Sequence, residues 1–194
     1  MMGRPREFDE TEALSSAMHV FWLKGYEATS MKDLMKAMDL HKGSIYKAFG
    51  DKHQLFMSAL GHYMRQGSEG MMRAFDEAPT PKDAIRSFLT MSLRQCACGP
   101  TVKGCFMMNS VVELAPHDET VRSFIESFMK TIKGKLSELI TKGQAIGQFR
   151  TDREPVELAE YLMFIKAGIL TGCKMRLESQ DPFGVVELAL SAIE

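Results

Sequence analysis

The chain has 194 residues, with 24 Lys/Arg against 25 Asp/Glu, a net charge of -1 and 45% hydrophobic residues. That is enough for one large or two small globular domains, and the near-zero charge excludes a polycation that holds nucleic acid by charge alone. The start, MMGRPREFDE, lacks the apolar stretch of a signal peptide, and no apolar run approaches the roughly 18 residues of a membrane span. The expectation is a cytoplasmic protein whose four cysteines stay reduced.

Gly3-Arg4-Pro5-Arg6 is a short basic arm, read either as a loose terminus or as a phosphate or minor-groove contact. A helix is predicted from about Asp9 to Lys24, with Ala13, Leu14, Ala17, Met18, Phe21 and Trp22 in a 3.6-period stripe and Gly25 as its stop. Thr29 to Phe49 then reads as two short helices around a tight turn. Thr29 and Ser30 are N-cap residues, Asp33 suits the first turn, and Leu34, Ala37 and Met38 follow at helical spacing. Asp39-Leu40-His41 breaks the pattern. The second helix places Ile45, Ala48 and Phe49 on one face, leaving Lys42, Gly43, Ser44, Tyr46 and Lys47 opposite. A short helix with an apolar back and a small, basic, aromatic front suits the DNA major groove. The first 52 residues carry eight Lys/Arg and eight Asp/Glu, so any DNA affinity must come from local placement of charge.

Lys52 opens a fourth helix, predicted to reach Glu77. A lysine there opposes the helix dipole and makes sense if a phosphate docks. Gly61, Gly67 and Gly70 make this helix a place to bend. Ala78-Pro79-Thr80-Pro81 punctuates the chain, with Thr80 as cap and Pro81 at the first helical position. Further helices are predicted at about Pro81–Ala97, Gly104–Ala115, Asp118–Ala145, Pro155–Leu177 and Pro182–Ile193. No strand is expected. The fold class is all-α, about nine helices: a three-helix head in residues 1–52 and a helical bundle in residues 53–194.

Cys96, Cys98 and Cys105 lie within ten residues. They read as small buried hydrophobes, as a reactive thiol (Cys105, at a helix start with Lys103 beside it), or as a thiolate cluster for a soft ion. Cys-x-Cys without a nearby His is a poor zinc pattern, so no metal site is assigned. Asn109 is the chain's single asparagine, and Cys105, Asn109 and Glu113 share one helical face, either the polar edge of a pocket or a solvent stripe. Gly168 and Gly172, four apart in an apolar helix, permit close helix approach, within the chain or between chains. Val185, Val186, Ala189, Ala192 and Ile193 give the last helix an apolar surface. The five histidines are scattered, and there is no Walker loop, HExxH or nucleophile elbow, so no catalytic set, enzyme activity or cofactor is expected.

The stretch Gly25 to Phe56, GYxxTSMKDLxxAxxLxKGSIYKAFGDKxxLF, resembles the head of TetR-type transcriptional regulators almost position by position. The resemblance implies a helix-turn-helix head and a divergent ligand-binding and dimerisation bundle. It places Thr29, Lys42, Gly43, Ser44, Tyr46, Lys47 and Lys52 at positions that commonly meet DNA. Asp39 stands where the family usually has Gly, and Ala48 where it often has an aromatic residue or His. The segment GCFMMNSVVELAPHDE resembles a subset whose ligand-domain helix begins Gly-Cys, some of which answer electrophiles through that cysteine with a late lysine nearby. Cys105 and Lys174 fall at those positions. The resemblance further implies a homodimer through the last two helices, acting as a repressor that a small-molecule or electrophile effector releases from a palindromic double-stranded operator. An all-α enzyme or interaction module without DNA binding is the alternative.

Overall fold

The computed structural model describes residues 8–91, 93, 103–175 and 181–194. Nine helices and no strand lie among them. They are α1 (Glu10–Lys24), α2 (Met31–Met38), α3 (Lys42–Phe49), α4 (Lys52–Glu77), α5 (Pro81–Thr90), α6 (Phe106–Glu113), α7 (Glu119–Ala145), α8 (Pro155–Met175) and α9 (Pro182–Ser191). Arg4, Arg6, Cys96 and Cys98 lie outside the described residues.

Caps set most of the boundaries. Asp9, Ser30, Asp51, Thr80, Asp118 and Asp181 each accept first-turn N–H bonds, and Ser30 with Asp33 and Asp51 with Gln54 form full capping boxes. α1 ends at Gly25 with φ +83. The helix predicted to reach Ala97 stops at Thr90, because Met91 turns to φ -55, ψ 133. The helix predicted from Gly104 begins two residues later: Gly104 takes φ +67 and Cys105 is extended, so Cys105 is the N-cap of α6.

Two apolar cores are stacked along α4 and α7. One joins Ala17, Phe21, Leu34, Ile45, Leu55, Phe56 and Leu60 to Phe106, Leu114, Val121 and Ile125. The head is therefore not closed at residue 52; it borrows core from α4, α6 and the start of α7, as three short helices must. The other joins Met71, Phe75, Ile85, Phe88 and Leu89 to the far half of α7, to α8 and to α9. Ala37, expected inside, is exposed, since Leu34 and Met38 already fill the inward face of α2.

α7 is tied to the head end of α4. Asp118 accepts from the Val121 N–H at 3.0 Å and lies 2.7 Å from His53 Nε2. These contacts, the Val121 bond first, hold its carboxyl below the ordinary value. A depressed carboxyl stabilises the fold above the ordinary carboxylate range near pH 4, and that stability is lost as pH falls through the lower folded value. Asp118→Ala is expected to cost about 1 kcal/mol of stability at pH 7, lowering Tm by about 2–4 °C. Thermal melts across pH check it, with the gap from wild type closing in acid.

Candidate nucleic-acid interface and effector site

The α2–turn–α3 unit is built as its residues dictate. Asp39 takes the left-handed conformation (φ 52, ψ 42) that a short polar side chain tolerates, and its N–H donates to the Met35 carbonyl. The turn thus survives without the family's usual glycine. Lys24 Nζ meets Asp33 Oδ1 at 2.6 Å and pins α1 to α2. That contact, with the Ser30 hydroxyl and N–H, holds the Asp33 carboxyl well below its usual range.

Ile45 is fully buried behind α3, while Lys42, Gly43, Tyr46 and Lys47 are exposed and Ser44 is half-exposed. Lys42 Nζ lies 5.5 Å from the centre of the Tyr46 ring. His41 caps α3 without a side-chain bond, which leaves its first N–H groups to solvent or an anion. Lys52 Nζ lies over the Tyr26 ring at 4.3 Å, and Asp51 rather than an outside anion caps α4. Thr29 departs from expectation. Its side chain is 1% exposed, and its hydroxyl donates to the Gly25 carbonyl at 2.5 Å. It precedes the cap Ser30, so its side chain braces the α1–α2 turn from inside.

The body holds a cavity of about 130 Å3 lined by Met64, Met71, Met91, Met107, Met108, Met129 and Met163 with Tyr63, Phe88, Phe128, Cys105 and Lys166. An apolar cavity of about 150 Å3 accommodates a benzene ring. Beside it a cleft of about 440 Å3 opens between the end of α1, α6 and α8. Cys105, Met108 and Leu170 line both spaces. The Cys105 sulfur accepts from the Tyr63 hydroxyl at 3.4 Å. Cys173 lines a separate groove with Phe164 and Val185, and burial pushes its thiol up.

Asn109 and Lys174 come together: Lys174 Nζ donates to Asn109 Oδ1 at 3.0 Å, and Asn109 Nδ2 donates to the Lys103 carbonyl at 2.9 Å. Gly104 permits this, since a Cβ there would stand 3.2 Å from the Lys174 chain and 3.4 Å from Asn109. Glu113 lines the same cleft as Cys105, Asn109 and Lys174, with both carboxylate oxygens engaged by the head. Its Oε2 and Oε1 accept the N–H groups of Tyr26 and Glu27 at 3.0 and 2.9 Å. Sequence reasoning missed Lys166, whose Nζ donates to the Phe88 carbonyl at 2.6 Å and lies 4.0 Å from that ring's centre. A lone lysine inside the apolar run MFIKAGIL was the available signal.

Two family matches cover most of the chain. Residues 13–59 match the description "Bacterial regulatory proteins, tetR family", and residues 81–183 match "Tetracyclin repressor-like, C-terminal domain".

The chain belongs to the TetR family.

The HTH-type transcriptional repressor ComR of Escherichia coli is 30% identical over 168 residues, 86% of this chain and 80% of that protein. YezE of Bacillus subtilis, an HTH-type transcriptional regulator, is 26% identical over 194 residues, all of both chains. Among solved structures, a cysteine-substituted CifR complexed with a 26-bp double-strand operator DNA superposes with a TM-score of 0.86, at 31% identity, covering 99% of this chain and 100% of that one. The protein is thus a DNA-binding transcriptional regulator of the TetR family, and the enzyme alternative falls with that assignment. Among the described residues no helix is long and apolar enough to cross a membrane.

Proposed function

We propose that the protein is a homodimeric repressor that an effector acting in the α6–α8 region releases from a palindromic operator. The carrying observation is α3: an apolar back at Ile45 and a continuous exposed front of Lys42, Gly43, Tyr46 and Lys47. Gly43 is exposed on this front with open space around it, so its backbone is accessible to a phosphate. Ser44 and Lys52 flank this face, and Thr29 supports it from behind.

The dimer reading rests on an apolar face the chain leaves uncovered. Phe164 is 70% exposed on α8 and Leu188 is 70% exposed on α9, with Phe183 and Val185 beside them. Gly168 lies on the same outer side of α8 with open space where a Cβ would stand, room for a second helix. Val186, Ala189 and Ile193, expected to contribute to that face, are buried within the chain instead.

For the effector, Cys105 is the described thiol that borders both the cavity and the open cleft, which favours a compact apolar electrophile reaching it from the cleft. Asn109 and Lys174 hold the backbone just before it. Fluorescence anisotropy with DNA from upstream of the protein's own gene tests the reading. The complex is expected to dissociate on addition of a thiol-reactive enone, with Cys105→Ser needing at least ~10-fold more reagent. A Cys105→Ser protein that dissociates like wild type excludes covalent sensing at Cys105 and leaves another thiol or non-covalent filling of the cavity.

A further inference from the structure

α6 meets the head at both of its ends. Ahead of its start, the Trp22 indole N–H donates to the carbonyls of Lys103 and Gly104 at 3.2 and 3.1 Å. At its end, the Glu113 carboxylate takes the Tyr26 and Glu27 N–H groups, one per oxygen. The cleft of about 440 Å3 lies between these two anchor points. The carboxylate is built into the turn: Gly25 has φ +83, and a Cβ on it would stand 2.9 Å from both oxygens. A side chain at position 25 would therefore be strained and would also displace Glu113. The same turn holds the Thr29 hydroxyl on the Gly25 carbonyl and leads directly to Ser30, the cap of α2. α2 in turn supports α3. These contacts form a bonded route from α6 to the recognition helix, beside the one through α4.

We propose that Glu113 is the positioning residue that fixes the angle of the head against the body, and with it the half-site spacing that the dimer reads. This rests on the dimeric operator reading above. Spacing reports head angle sensitively, because one added base pair turns a half-site by about 35° and moves it by about 3.4 Å. A residue that merely stabilised the fold would weaken binding to all spacings alike. Glu113→Ala frees both N–H groups. Glu113→Gln keeps one acceptor oxygen and turns an NH2 toward the other N–H, so it should loosen the tie in part.

The test uses full-length wild type, Glu113→Gln and Glu113→Ala against duplexes carrying a selected half-site as an inverted repeat with spacers varied one base pair at a time. Wild type is expected to prefer one spacing over its neighbours by ~10-fold or more. Glu113→Ala should flatten that preference to about twofold and Glu113→Gln should fall between them. If Glu113→Ala does not fold, Glu113→Gln carries the comparison. A uniform loss across spacers, or an unchanged preference in both variants, overturns the positioning role alone. Wild type with no spacing preference overturns the dimeric reading as well.

Discussion

Tyr46→Ala and Lys47→Ala are each expected to lower operator affinity by roughly 30-fold to 10⁴-fold while leaving the thermal melt nearly unchanged. Both side chains are exposed on the front of α3, so their removal opens no cavity. A contact to a base edge or its flanking phosphate contributes about 1–3 kcal/mol, and in a dimer the loss enters once per half-site. Tyr46→Ala also strips the ring beneath Lys42, so it should weaken the phosphate side of the contact and flatten the salt dependence. Anisotropy titrations at two salt concentrations check both effects. Affinity within threefold of wild type would mean that α3 does not read the groove with this face.

The second large effect concerns the outer face of α8 and α9. Phe164→Arg is expected to convert the dimer to monomer at micromolar concentration and to lower operator affinity by at least ~10²-fold. Phe164 is 70% exposed, so the chain's own core does not need it. Burying it in a two-fold interface would contribute about 1.5–3 kcal/mol per copy, whereas an arginine there would bring two like charges together. A monomer keeps one intact head but loses the effective concentration that makes the second half-site bind nearly for free. Sedimentation checks the state and anisotropy the affinity. A dimeric Phe164→Arg protein with unchanged DNA binding would place the interface elsewhere.

The head was legible because its signals are local. Caps, a glycine stop and an apolar stripe fix α1 to α4 to within a residue or two, and Asp39 behaves as a short polar side chain should in a left-handed turn. What sequence could not supply was where a polar group is spent. Thr29 read as a helix cap and, by resemblance, as a DNA contact, yet its hydroxyl is used by a carbonyl four residues back. Glu113 fell on the same helical face as Cys105 and Asn109, but its partners are N–H groups more than 80 residues away, which no periodicity reveals. The apolar residues of α9 also divide between core and exterior only once α5 and α8 are in place, which is why Val186 and Leu188 part company.

The most direct test of the central claim is selection of binding sequences from random duplex DNA by the purified full-length protein, with the stoichiometry of the winning complexes measured by sedimentation. An inverted repeat bound by an even number of chains, with the two half-sites separated by about one helical turn or a multiple of it, is the predicted result. No enriched sequence, or an unrepeated site held by a single chain, would contradict a dimer that reads DNA through α3.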